Sequence, residues 1–288
     1  FIGMSLASDI SSEAVYLKNW CLNYLEAVRP DGFTPGLLTP EGTDKRLKHI
    51  KPFLAQGAYF ASNFLNDFSW VRPFWRQLKK SVAYREKIYL DSERGLCSWY
   101  NSMESGADNN ITALDFPVGS VLASDLNSFL YREYLALAKI AARIGQQNDV
   151  DRFNKKAAAI KRAILKHLWD PDAKAFFNVD RRNNTMIRRM SYNSIIPLWA
   201  GIASKKQGRT MILRHLLNPK KMRARNGIRT LSADDPAYNQ ANIIKPYSNW
   251  QGPIWPLVNC LAAYLLLDYG FRRAARRLAE ITVRLCLT

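Results

Sequence analysis

The chain has 288 residues, 48% of them hydrophobic and 12% aromatic. That is enough apolar material for a large core in one big domain or two, and it excludes a disordered chain. The net charge of +18 comes from basic residues scattered along the whole length. Without one dominant run or a recognisable nucleic-acid motif they read as solvated helix faces, so weak, salt-sensitive polyanion binding is expected but no specific nucleic-acid partner.

No apolar run approaches the ~20 residues that a membrane-spanning helix needs, so no membrane partner is expected. Phe1–Leu6 lacks the basic start of a signal peptide, and a cytoplasmic location is expected. Cys21, Cys97, Cys260 and Cys286 are far apart and form no CxxC. They read as buried free thiols of a reducing compartment. His49, His167 and His215 are isolated, which argues against a His-based metal site. Loops rich in Asp and Asn offer oxygen ligands, but no calcium motif is recognisable.

In chain order, apolar residues at helical spacing predict a first helix from Asp9 to about Val28, with Asp9 or Ser11 at its start. The Pro- and Gly-rich stretch from Arg29 to Gly36 ends it. A loop to Lys51 follows. Pro52 then opens a second helix, and a third runs from about Arg72 to Tyr89. The stretch Asn101–Asn110 shows neither helical nor strand periodicity. It reads as an acid- and amide-rich loop beside Trp99 and Tyr100.

Such a loop suits sugar chemistry, because amides and carboxylates bond hydroxyls and aromatic faces stack on pyranose rings. A plain polar turn has the same composition. Ser124 or Asp125 caps a strong helix that ends at Gly145, and Asp149 starts another. Trp169–Phe177 reads as a turn into a short extended piece. Two helices are expected between Ser191 and Leu217, then a long loop from Asn218 to Gln251. Two more helices cover about Pro253–Tyr269 and Arg272–Leu285.

The pattern is all-α: nine helices in antiparallel pairs with almost no credible strand. It suits a helical toroid whose long loops gather at one end. A solenoid of helix pairs would need a repeated signature, and none is present at fixed period.

Several stretches together resemble glycoside hydrolase family 63 and the related trehalases. Glu104-Ser-Gly-Ala-Asp108-Asn resembles the acid-bearing motif. Ser124-Asp-Leu-Asn-Ser-Phe-Leu-Tyr-Arg-Glu-Tyr resembles the helix that follows it, and Pro52-Phe-Leu-Ala-Gln56 a site-lining helix start. Gly227–Tyr238 and Asn249-Trp-Gln-Gly-Pro-Ile-Trp-Pro-Leu-Val-Asn259 look like the later loops. The likeness covers nearly the whole chain, and the order of the motifs is its specific part. Within the family it is similar to the mannosylglycerate and glucosylglycerate hydrolases, since trehalases usually carry an aromatic where Ala107 stands.

The resemblance implies an (α/α)6 toroid, with residues 1–288 as one partial catalytic domain holding about nine of twelve helices. It implies inverting hydrolysis of an α-glucosidic or α-mannosidic bond, with no cofactor and a carbohydrate as substrate. Asp108 matches the general acid, whose pKa burial among Trp99, Trp250 and Trp255 would raise. Substrate-binding positions would be Gln56, Trp99, Tyr100, Glu104, Asn109, Asp125, Asn127, Arg132, Trp250, Gln251 and Trp255. Arg132 either positions substrate or joins Glu104, Asp125 or Glu133 in a structural network. Trp250 and Trp255 form either a sugar platform or plain core.

The family's catalytic base is a glutamate downstream of the Gly252-Pro253-Ile254-Trp255 stretch, and Thr288 precedes any such motif. Glu280, between Arg276 and Arg284, reads as an ion-paired surface residue. The expectation is therefore a chain cut at both ends and lacking its base, nearly inactive, with exposed apolar faces that drive association. The readings that compete are a trehalase-like hydrolase, a non-catalytic sugar-binding helical protein and a basic scaffold for nucleic acid.

Overall fold

A computed structural model describes residues 13–43, 48–243 and 248–287. It is mostly helical. The helices are α1 (Ala14–Glu26), α2 (Leu54–Phe64), α3 (Trp75–Tyr89), α4 (Ser102–Ser105), α5 (Ser124–Ile144), α6 (Gln147–His167), α7 (Tyr192–Trp199), α8 (Lys205–Met211), α9 (Pro256–Asp268) and α10 (Arg272–Leu287). Nine of these match the helices expected from apolar spacing. The tenth, α4, is a correction: one helical turn stands inside the stretch that reads as an irregular loop. Its reason is local. The Asn101 side chain accepts the Glu104 N–H at 3.0 Å, and Gly106 ends the turn in the left-handed region at φ 80°. Caps decide so short a helix, because periodicity has no room to show itself.

Asp9 and Ser11, the expected caps of α1, lie outside the described residues. Pro52 sits in the turn before α2, and a 3-10 turn, Ser69–Phe74, leads into α3. The expectation of almost no strand needs refinement. Among the described residues, eleven pieces of two or three residues pair antiparallel. One hairpin, Arg223–Ala224 with Gly227–Ile228, lies inside the expected long loop. Pieces this short carry no alternation that a sequence could display.

The chain divides into two compact units. The first takes Phe1–Cys97 and Phe129–Lys161. Its core holds Leu17, Leu25, Leu54, Leu78, Leu130 and Leu137. At its centre Glu133, wholly buried on α5, accepts the Ala55 N–H at 2.7 Å and the Gln56 N–H at 3.2 Å. These amides at the start of α2 have no partner within their own helix, and a carboxylate suits the positive end of the helix. Burial nevertheless pushes the Glu133 carboxyl up to about 7, with the backbone hydrogen bonds opposing that rise.

His49 in the same unit is wired as a neutral ring. Nδ1 accepts the Thr34 N–H at 3.1 Å and Nε2 donates to the Ser81 carbonyl at 2.9 Å. Burial and then the Arg85 charge lower its pKa to about 3. His49, Ser81, Arg85 and Glu133 line a cavity of about 10 Å3, room for one water. On α6, Asp149 Oδ2 receives the Trp75 indole N–H and the Lys79 ammonium, both at 2.8 Å.

The second unit takes Ser98–Ser128 and Arg162–Thr288. Val121–Leu122, Asn178–Asp180 and Thr185–Ile187 form a three-stranded sheet. The sheet brings the Asn178 amide to the start of α5, where its Oδ1 accepts the Ser124 N–H at 2.8 Å. Trp169–Asp170 pairs with Ala175–Phe176 as a hairpin. Helices α9 and α10 pack on each other, and the Asn259 Oδ1 on α9 accepts the Ile228 N–H at 2.8 Å. Glu280 is exposed and pairs with Arg276 at 3.0 Å, the surface role that its spacing predicts.

The expectation of uniformly buried thiols is corrected. Cys21 and Cys97 are buried, but Cys260 is only partly covered and Cys286 is exposed. The last helix presents most of its turns to solvent, so burial there depends on which face a residue takes. No helix among the described residues is long and apolar enough to cross a membrane.

Candidate functional site

In the second unit the turn that follows α4 meets the stretch 248–251. Asp108, half-buried, accepts two hydrogen bonds on Oδ2 from one residue: the Ser248 N–H at 3.0 Å and the Ser248 hydroxyl at 2.8 Å. Next to it Asn109 is buried and bonded through Oδ1, Nδ2 and its carbonyl. Its Oδ1 accepts the Trp250 N–H at 2.6 Å, its Nδ2 donates to Asn249 Oδ1 at 3.1 Å, and its carbonyl accepts Gln251 Nε2 at 2.8 Å. The amide of Asn109 thus imitates a backbone partner and laces two segments that lie 140 residues apart in sequence.

Asn249 carries the lacing further. Its Nδ2 donates to Asn239 Oδ1 at 2.7 Å and to the Ala241 carbonyl at 2.8 Å. Gly252 closes this loop at φ 153°, where a Cβ would lie 2.1 Å from the Asn239 carbonyl oxygen. Only glycine fits so close an approach.

Two indoles stand over this lacing. Trp250 and Trp255 stack with centroids 4.7 Å apart and planes 7° from parallel. Trp250 is buried, and its Nε1 donates to Ser248 Oγ at 3.0 Å. Trp255 is half-buried, and its Nε1 donates to the Asn249 carbonyl at 2.9 Å. Both indole N–H groups therefore point into the same loop and orient the rings. Tyr192 packs on Trp250 at 5.0 Å.

The Tyr192 hydroxyl donates to Asp125 Oδ2 at 3.0 Å, and Trp99 Nε1 donates to Asp125 Oδ1 at 3.0 Å. Asp125 has no exposed surface, and burial pushes its carboxyl above the ordinary value, against the hydrogen bonds from Trp99, Leu126 and others. Burial first, and the Asp125 charge second, raise the Tyr192 phenol well above its usual range. Asp125 thus holds the hydroxyl of the tyrosine that packs on Trp250.

Of the positions expected from the sequence, Asp108, Asn109, Trp250, Gln251 and Trp255 come together here. Trp99 and Asp125 stand behind them in the core. The Glu104 carboxylate turns back to accept the Tyr100 N–H at 2.6 Å, and the Tyr100 ring is exposed. Asn127 is buried on α5, with Nδ2 on the Ala123 carbonyl at 2.8 Å. Gln56 and Arg132 belong to the first unit. The Gln56 Nε2 donates to the carbonyls of Pro52 and Phe129 at 2.7 and 3.3 Å, while its Oε1 is buried without a hydrogen-bond partner among the described residues. Arg132 is half-buried.

Sequence reasoning missed Ser248, Asn249, Tyr192 and Asn239. Ser248 and Asn249 sit at the head of the Asn-Trp-Gln-Gly stretch, which is the available signal. Tyr192 and Asn239 carry none, because their roles exist only through partners distant in sequence.

The arrangement offers a carboxyl fixed on one oxygen, a rigid amide frame and an aromatic pair with one partly open ring, a set that suits a saccharide. A mannosylglycerate hydrolase from Rubrobacter radiotolerans is 25% identical over 160 residues, 56% of this chain and 35% of that protein. A cytosolic neutral trehalase from Pyricularia oryzae is 27% identical over 274 residues, 88% of this chain and 34% of that protein. The chain thus spans about a third of the length of the curated relatives it matches.

The crystal structure of a GH63 mannosylglycerate hydrolase from Thermus thermophilus in complex with glucose superposes with a TM-score of 0.78 at 17% identity, covering 99% of this chain and 82% of that one. At that identity the superposition shows a shared fold. Residues 16–288 match the mannosylglycerate hydrolase MGH1-like glycoside hydrolase domain, and the chain belongs to that glycoside hydrolase family.

Proposed function

We propose that this chain carries the proton-donating half of a glycosidase site and that the whole protein cleaves an α-glucosidic or α-mannosidic bond of a small glycoside with inversion. Residues 1–288 would form part of one catalytic (α/α)6 toroid, about nine of its twelve helices. The observation that carries the reading is the fixed carboxyl of Asp108 set in the Asn109–Trp250–Gln251 lacing beside the Trp250–Trp255 stack.

Inversion needs a donor on the leaving oxygen and a second carboxylate about 6.5–9.5 Å away that activates water on the opposite ring face. Asp108 takes the first role. The second is assigned to the glutamate that the family resemblance places downstream of the Gly252–Trp255 stretch. Glu280 is spent on Arg276 at the surface. The half-open Trp255 ring is the sugar platform, and the abundant basic residues suit an anionic aglycone such as glycerate.

The names of the relatives also raise a trehalase-like activity. One observation weighs against it: Ala107 is 1% exposed, so the aromatic that trehalases usually carry there would require repacking.

Hydrolysis of glucosylglycerate, mannosylglycerate, trehalose and aryl α-glycosides by the full-length enzyme tests the reading. Asp108→Asn should lower turnover of the preferred substrate by about 10²–10⁴-fold, the usual contribution of a general acid, with the fold kept. Parent-like turnover by that variant would remove Asp108 from the role of proton donor.

A further inference from the structure

Among the described residues, every proton aimed at Asp108 Oδ2 has a settled direction. A backbone amide only donates, so the Ser248 N–H at 3.0 Å is aimed at the carboxyl. The indole Nε1 of Trp250 also only donates, and it lies 3.0 Å from Ser248 Oγ. Ser248 Oγ must accept that bond, which leaves its own single proton for Asp108 Oδ2 at 2.8 Å. Both lone pairs of Oδ2 are then engaged, and a proton on Oδ2 would face two donors. Among the described residues Oδ1 takes no hydrogen bond.

We propose that Ser248, held by Trp250, is a positioning residue that assigns the transferable proton of Asp108 to Oδ1. The inference rests on the reading of Asp108 as the donor. As the bond from the anomeric carbon to the leaving oxygen breaks, its electron pair stays on that oxygen, which takes the proton from Oδ1. Water adds to the carbon and gives its own proton to the second carboxylate. Asp108 is left ionised, and its charge falls on an oxygen that already holds two hydrogen bonds. Hydrogen bonds to an ionised acceptor are roughly twice as strong as neutral ones. The Ser248 pair therefore tightens as the proton leaves, and such strengthening is what lowers a barrier.

Ser248 cannot drift to relieve a poor fit. The residues after it are tied to Asn109 through the Trp250 N–H and the Gln251 side chain.

The test compares two substrates of one sugar in the full-length enzyme: a glycoside with a poor leaving group, which needs the proton, and a glycosyl fluoride, which needs it far less. Ser248→Ala should lower kcat on the poor leaving group at least tenfold more than on the fluoride, with KM little changed. Ser248→Thr, which keeps the hydroxyl, should restore most of the difference. Trp250→Phe, which frees the serine hydroxyl to rotate, should move the ratio the same way by a smaller factor. Equal losses on both substrates, or no loss on the poor one, would overturn the assignment. Asp108→Asn run beside them separates the two readings. If it discriminates between leaving groups while Ser248→Ala does not, only the role of Ser248 falls. If it discriminates between neither, the donor reading falls too.

Discussion

Glu133 and His49 pull the stability of the first unit in opposite directions as pH changes. The folded pKa of Glu133 is about 7 against an ordinary 4.5. The folded state therefore binds more protons than the unfolded one across that interval, and stability falls as pH rises through it. The folded pKa of His49 is about 3 against 6.5. Between those values the unfolded state binds the extra proton, so stability rises with pH.

Between pH 5 and pH 7 each effect is worth about 2 kcal/mol, and the two largely cancel. Asp170, held low against burial by the Ala173 N–H and then Arg188, and Asp180, held low by Arg182, act only below the ordinary carboxylate range. In the second unit His215, lowered by burial, and Asp125, raised by burial, add the same two opposing signs, so the parent's own difference in urea midpoint between pH 5 and pH 7 is the reference. Glu133→Gln should remove one arm and leave the others, lowering stability at pH 5 relative to pH 7 by about 2 kcal/mol compared with the parent. A variant with the parent's pH dependence would show that Glu133 does not titrate there. None of this is legible in the sequence. Isolation argues against a metal role for His49, but only the fold shows it buried beside Arg85.

At the scale of elements, the close approach at Gly252 holds the loop that presents Trp250 and Gln251. Gly252→Ala would put a methyl group 2.1 Å from the Asn239 carbonyl oxygen at a strained φ of 153°. The loop must shift, and we expect an overpacking cost of about 1–3 kcal/mol with a marked loss of activity, read by thermal denaturation alongside the glycoside assay. Gly208→Ala makes a useful contrast. Its Cβ would meet the Tyr269 ring at 2.0 Å on α8, so it should cost stability with less effect on turnover.

The same elements show what a sequence can reveal. Helices long enough to repeat an apolar face, such as α5 and α6, are readable. The loop is readable as far as Gln251, while Pro253–Trp255, expected in the next helix, belong to the loop because that helix starts only at Pro256. The turn α4 and the short strand pairs are not readable, because they exist by caps and cross-chain pairing. The site follows the same division. Asp108, Asn109, Trp250 and Gln251 are legible through motif order. Ser248 as the partner of Asp108 is not, since nothing local ties two residues 140 positions apart.

For the whole molecule, one notable feature is the apolar surface on the last two helices. Leu257, Tyr264 and Leu267 on α9, and Val283, Leu285 and Leu287 on α10, are all exposed by more than a third. Arg272, Arg273, Arg276, Arg277 and Arg284 share the latter helix. Apolar patches of this kind drive association, while the net charge of +18 opposes it. The 288-residue chain should therefore be more associated at high salt than at low, as light scattering at both ionic strengths would show. A clean monomer at high salt would mean that the patch is too small to matter.

The parallel indoles have a practical consequence. Trp255 is half-buried, and its ring lies against Trp250 rather than against bulk core. A ring so placed changes its emission when the water beside it is displaced. Arrival of a saccharide at this loop would thus be visible in ultraviolet fluorescence, without any label, before a single bond is broken.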